Sequence, residues 1–173
     1  MSATAQKLVV AMVGLPGSGK STLAAALCAR FGLAEINRDS LRAQLFPDCQ
    51  FTLEEKQAAY AAVLKWLRAY CSLGESTLID GMTFGRRAER QAVRAIALKY
   101  QFRFAPVWLD CPVEVAMQRV AAQQHLAGDR APDLVRAVAA RFEAPNHAIR
   151  IDATLPPKEV FALAETALLA TDQ

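Results

Sequence analysis

The sequence has little of what marks the more specialised protein classes. Its four cysteines, Cys28, Cys49, Cys71 and Cys111, lie far apart and form no CxxC pair. Neither a zinc site nor a disulfide framework is therefore expected, and free thiols fit a reducing compartment. Its two histidines, His125 and His147, have no metal-binding or catalytic neighbour in sequence, so solvent-exposed roles are expected for both. No apolar run approaches the roughly 18 residues that span a bilayer. The first apolar stretch, Leu8 to Leu15, leads into a Gly-rich loop rather than a signal-cleavage pattern. A cytoplasmic setting without membrane attachment is expected. The formal charge is only +3 and the arginines are scattered, which argues against a dedicated duplex nucleic-acid binder with its concentrated basic stripe. No repeat, linker or low-complexity segment divides the chain, so residues 1–173 are read as one domain with no stable protein partner implied.

What is present is an ordinary globular composition, 53% hydrophobic and 21% charged, with short β-type runs alternating with longer amphipathic segments. "KLVVAMVGL" is apolar almost throughout, as a parallel strand covered on both faces must be. "KSTLAAALCARF" carries helix formers and stops at Gly32, a C-cap residue. "AEIN", "STLIDGM", "FRFAPVWLD" and "AIRIDAT" supply four more strands. Helices are expected at Leu53 to Leu73, opened by a Thr52/Glu55 capping box and closed by Gly74, over residues 86–99, over "VEVAMQRVAAQQ", and from Pro157 onward. Strands separated by helices imply right-handed crossovers. The expected architecture is a three-layer α/β fold with a five-stranded parallel sheet flanked by helices, its ligand at the carboxyl ends of the strands.

"GLPGSGKST" is the most specific stretch. Gly14, Gly19, Lys20 and Ser21 satisfy GxxxxGK[ST], between a strand and a helix as the motif requires. Glycines turn successive N–H groups inward to form an anion nest, and the following helix points its positive end at the same spot. Residues Pro16, Gly17, Ser18 and Thr22 complete the phosphate-binding loop. Lys20 is placed to reach the β- and γ-phosphates and Ser21 to offer its hydroxyl to Mg²⁺. The expected ligands are ATP and Mg²⁺. ATP is preferred over GTP because no NKxD stretch is present.

"GLPGSGKST", "INRDSLRAQLF", "TLIDGMTFGRR" and "APVWLDCPVEVAMQRV" together resemble the P-loop kinase superfamily of adenylate-kinase-like P-loop NTPases. The resemblance is to small bacterial ATP-binding kinases related to polynucleotide 5′-hydroxyl kinases, over roughly residues 8 to 145. It implies a P-loop NTPase fold and a general base at Asp39. It also implies acceptor-side contacts from Arg42, with Arg38 and Asp80 beside it, and a short lid around residues 119–135 carrying Arg119 and Arg130.

The residues support the same chemistry. An alcohol attacks phosphorus only weakly unless a carboxylate accepts its proton, and positive neighbours keep such a carboxylate ionised. Two readings of Asp39 stand: catalytic base, or N-cap of a helix running through "SLRAQLF". The resemblance implies that Asp80 orients Mg²⁺ through water or contacts the acceptor; the alternative is an Asx-turn before Gly81. Arg119 and Arg130 either close over the nucleotide or decorate solvated faces, with residues 128–132 as a loop. Arg86, Arg87 and Arg90 either line the acceptor cleft or solubilise a helix, the second reading being preferred, and Asp110 is expected to serve a structural turn. Arg141, Phe142 and Glu143 suggest no chemistry.

The expected function is ATP-dependent phosphoryl transfer to a hydroxyl of a small-molecule acceptor. A 5′-hydroxyl nucleic-acid end is the next acceptor class, then a nucleoside monophosphate. From a different class, a non-catalytic nucleotide-binding or toxin-type module also fits.

Overall fold

β1 (Leu8–Val13) is buried at every position, and its pleat shows why. Val9, Ala11 and Val13 point into one apolar cluster, while Leu8, Val10 and Met12 point into another on the opposite face. The structure, a computed structural model, describes residues 7–123 and 132–170. Around β1 the chain builds β2 (Ala34–Asn37), β3 (Thr77–Asp80), β4 (Arg103–Asp110) and β5 (Ile149–Asp152) into one parallel sheet of order β2-β3-β1-β4-β5. The expected five-stranded α/β architecture is therefore the one observed.

One cluster gathers α1 (Lys20–Phe31), α5 (Val113–Ala122), α6 (Pro132–Ala139) and α7 (Pro157–Ala170) against the sheet. The other gathers α3 (Leu53–Leu73) and α4 (Arg87–Lys99). Gly32 and Gly74 close α1 and α3 in the left-handed conformation, and the Thr52/Glu55 box opens α3. Chain order reverses on either side of β1, and the crevice outside such a switch point is where open α/β sheets bind ligands.

Two elements begin elsewhere than expected. A separate helix, α2 (Arg38–Leu45), follows β2 at once, and its N-cap is Asn37, whose side chain accepts from the Ser40 N–H at 3.1 Å. Asp39 therefore lies inside the first turn, and the capping reading of Asp39 is set aside. The second is α6. Pro132, read as the end of a loop, is the first residue of a helix, where its missing N–H costs nothing. No helix among the described residues is long and apolar enough to cross a membrane.

Candidate active site

The loop after β1 is shaped by its glycines. At Gly17, with φ +80°, a Cβ would stand 2.5 Å from the Ala116 carbonyl oxygen and 2.8 Å from Val120 Cγ2, so only glycine lets α5 pass this close. The Gly14 N–H donates to the Thr83 carbonyl at 3.1 Å, tying the loop to the segment after β3. α1 begins at Gly19 with no side-chain cap and no acidic residue in its first turn. Its leading N–H groups and positive dipole end are thus left to an external anion. Lys20 is buried, and its Nζ donates to the Gly14 and Leu15 carbonyls at 3.0 and 2.7 Å. Ser18 is also buried, and its Oγ has no hydrogen-bond partner among the described residues.

Parallel register brings the second group alongside. Asn37 pairs with Asp80, so the end of β3 and the start of α2 are neighbours. Gly81 makes the approach possible: at φ +77°, a Cβ there would lie 2.8 Å from the Asp39 N and 2.9 Å from the Arg38 N. Asp80 is 0% exposed, and neither carboxylate oxygen has a hydrogen-bond partner among the described residues. A buried, unpartnered carboxylate is costly unless a cation or water completes it. With the Ser21 hydroxyl lining the same cleft, the donor set is one a hard, oxygen-seeking cation such as Mg²⁺ accepts. Asp39 Oδ1 is ion-paired to Arg38 at 3.3 Å and Arg42 at 3.2 Å. Arg42 is itself buried, its guanidinium 4.6 Å from the Phe51 ring.

Lys20, Ser21, Asp80, Arg38, Asp39 and Arg42 face one cleft of about 880 Å³. It runs from Pro16 through Thr22 in the loop, past Asp80 and Thr83, to Arg38, Asp39 and Arg42. Gly14 underlies the loop without lining the cleft. Arg119 reaches it from α5 while donating to the Ala153 carbonyl at 2.9 Å, bridging α5 to the segment after β5. Arg130 lies outside the described residues. Three cations that carry no motif also line the cleft: Lys56 from the first turn of α3, Arg141 from beyond α6, and Lys158 from α7.

The stretch that suggested no chemistry has a structural job. The Glu143 N–H donates to the Gly85 carbonyl at 2.8 Å, and its carboxylate accepts from the Arg87 N–H. Phe142 packs on Trp108 with ring centroids 6.2 Å apart. Together they hold the segment that follows β3. Arg90 also departs from expectation. It is buried and donates to the Phe84 carbonyl at 2.6 Å, pinning a residue whose φ is +47°. Burial lowers its pKa against the pull of Glu143 and Glu89. Asp110 is a structural acid: its Oδ2 accepts from Arg150 Nε at 2.9 Å.

Comparison with known proteins places this geometry. The model of a family described as "AAA domain" matches residues 9–148. An uncharacterised protein of Mycobacterium tuberculosis is 28% identical over 159 residues, covering 84% of this chain. The chain spans only 31% of that relative's length. Among solved structures, a sugar kinase from a Janibacter species is 26% identical, with a TM-score of 0.71 and 94% of each chain covered. The Mycobacterium tuberculosis APS kinase, solved with AMPPNP and APS, shares the fold at 19% identity, with a TM-score of 0.68 over 92% of this chain and 98% of that one. With its strand–loop–helix phosphate cradle, its sheet order and these matches, the chain belongs to the AAA domain family, within the P-loop kinase superfamily.

Proposed function

We propose that the chain transfers the γ-phosphate of ATP to a hydroxyl of a small-molecule acceptor. The observation that carries this reading is the single cleft in which the phosphate-binding loop and an arginine-bracketed carboxylate, Asp39, face the same space. ATP with Mg²⁺ supplies the transferable phosphoryl group and neutralises part of its charge. The backbone N–H groups of Gly17, Ser18 and Gly19 and the ammonium of Lys20 would hold the polyphosphate. Ser21 and Asp80 would hold the metal. Asp39 takes the proton from the acceptor hydroxyl as that oxygen bonds to phosphorus. Arg38 and Arg42 hold Asp39 in place and face the acceptor. Arg119 and Arg141 bring positive charge to the nucleotide side, where it offsets charge spread over the transferred group. The names of the sugar kinase and the APS kinase support a small acceptor.

Transfer of labelled γ-phosphate by the purified chain tests this. Three acceptor sets run in parallel: small hydroxyl metabolites, nucleoside monophosphates and a 5′-hydroxyl oligonucleotide. Label in the small hydroxyl set is the expected result. Label on the oligonucleotide or monophosphates would replace the acceptor class. Label nowhere, with AMPPNP still bound, would overturn catalysis in favour of a non-catalytic nucleotide-binding module.

A further inference from the structure

α6 presents two faces. Val135 is buried in one cluster with Ala116 and Val120 of α5, while Leu134, Val138 and Arg141 line the cleft. Positions 134, 138 and 141 share one helical face, and the turn continues past the end of the helix. The Arg141 N–H donates to the Val138 carbonyl and the Phe142 N–H to the Ala139 carbonyl, both at 3.2 Å. Arg141 thus extends the cleft face of α6.

The next two residues fasten this arm to a distant part of the chain. Phe142 packs against both apolar clusters, and a Cβ on Gly85 would lie 3.0 Å from its Cδ2. The Glu143 N–H donates to the Gly85 carbonyl at 2.8 Å. The Glu143 carboxylate accepts from the Arg87 N–H, the first of α4, from 56 residues along the chain. The donor before it, the Arg86 N–H, goes to Glu89 at 3.2 Å. The gripped segment belongs to the cleft as well. The Gly85 N–H donates to Thr83 Oγ1 at 3.4 Å, and Thr83 lines the cleft and accepts from the Gly14 N–H. Arg141 therefore stands between two fixed points, the last turn of α6 and the grip on residues 85–87.

We infer that Glu143 is a positioning residue: by binding the start of α4 it locks the end of α6 to the segment after β3 and holds Arg141 at the cleft. The inference rests on the proposed phosphoryl transfer and deepens it. Apolar contact through Val135 and Phe142 is non-directional and tolerates sliding. A charge-assisted hydrogen bond to a helix-start N–H is directional and strengthened by the helix dipole. Glu143 therefore sets the register of the arm. A cation held in advance needs no reorganisation when charge spreads over the transferred group, and small misplacements of such a group cost rate steeply.

Label transfer from ATP–Mg²⁺ to the pool of small hydroxyl metabolites tests this in Arg141→Ala, Glu143→Ala, Glu143→Gln and the double variant Arg141→Ala/Glu143→Ala. Arg136→Ala, an exposed cation of α6 outside the cleft, is the control. Urea unfolding checks that each variant folds. Arg141→Ala should slow transfer at saturating ATP about a hundredfold, and Glu143→Ala about tenfold. Glu143→Gln keeps an acceptor oxygen without the charge and should slow transfer about threefold. The KM for ATP should stay within about twofold of wild type in all of them, and Arg136→Ala should match wild type. The double variant should be no slower than Arg141→Ala, because a residue that acts through Arg141 then has nothing left to position. If Glu143→Ala does not fold, Glu143→Gln takes its place in the double variant with the same expectation. Independent losses that multiply in the double variant would overturn the inference alone. Wild-type rates in Arg141→Ala or in both Glu143 variants, or a loss in Arg136→Ala equal to that in Arg141→Ala, would do the same. A wild type that labels no acceptor of any class would overturn the kinase reading, and this inference with it.

Discussion

Replacing Asp39 by Asn separates a chemical role from a structural one, because the structure assigns the helix cap elsewhere. Asn37 accepts from the Ser40 N–H, so the substitution leaves the start of α2 capped. What is lost is one negative charge in the first turn and two ion pairs, at 3.3 Å to Arg38 and 3.2 Å to Arg42. The Asp39 side chain is 30% exposed and that of Arg38 25%. Each pair is therefore worth about 0.2–1 kcal/mol, and the helix-dipole contribution about 0.3–1 kcal/mol. The expected loss of stability is about 1–2 kcal/mol, small enough to leave a folded protein. Loss of a general base slows transfer about 10²- to 10⁴-fold, a barrier increase of about 3–5 kcal/mol. The assays are label transfer at saturating ATP, calorimetric binding of AMPPNP–Mg²⁺, and urea unfolding. Transfer should fall by at least a hundredfold while nucleotide affinity stays within about twofold of wild type. Asn37→Ala is the control: it removes the cap, costs about 1 kcal/mol of stability, and leaves transfer near wild type. Undiminished transfer by Asp39→Asn would refute the assignment of the base. A loss of nucleotide affinity equal to the loss of rate would refute its confinement to the acceptor side.

Gly17→Ala should abolish nucleotide binding and lower the melting temperature, since its Cβ would sit 2.5 Å from the Ala116 carbonyl oxygen at a φ of +80°; retained AMPPNP affinity in a calorimetric titration would contradict the packing argument. Asp80→Asn should leave the ligand-free protein folded, because it keeps the shape of a fully buried side chain whose oxygens have no hydrogen-bond partner among the described residues. The same variant should lose the Mg²⁺-dependent part of its nucleotide affinity, and an unchanged Mg²⁺ dependence would place the metal elsewhere. Cys28 gives a pH prediction: burial first, then the carboxylates of Glu35 and Asp80, push its thiol from 9.0 to about 11. Above pH 9 the unfolded thiol gives up its proton while the folded one keeps it. This contribution to stability is thus complete below pH 9 and declines as pH rises toward about 11. Urea unfolding across that range should show a shallower decline in Cys28→Ala than in wild type.

Much of the molecule was legible because its determinants are contiguous. The run from Leu8 to Ser21 encodes strand, turn and helix start in order, and Gly32 and Gly74 mark where α1 and α3 stop. Asp39 was harder. Asn37 and Asp39 are both good caps two positions apart, and only the backbone of Asn37, with φ −106° and ψ 114°, decides which one caps. The Asn37–Asp80 register that sets Asp80 beside α2 depends on pairing between β2 and β3, which nothing local announces. Lys56 and Lys158 escaped notice, and Arg141 suggested no chemistry, for the same reason: each is an ordinary basic residue in its own segment, and only the fold brings all three to the cleft. Arg90 looked like a solubilising residue because its partner, the Phe84 carbonyl, is exposed to it by a left-handed turn that no glycine marks. α6 was hidden by a preceding stretch rich in Gly, Asp and Pro, whose composition reads as a loop up to the proline that in fact begins the helix.

The most direct test of phosphoryl transfer at Asp39 uses the protein with ATP, Mg²⁺ and a deproteinised extract of the cells that make it. Mass spectrometry follows the products. The account predicts a new phosphate monoester of a small hydroxyl compound, formed in step with ADP and absent when Asp39→Asn replaces the wild type. Formation of ADP and inorganic phosphate at the same rate with and without extract, with no new ester, would contradict it.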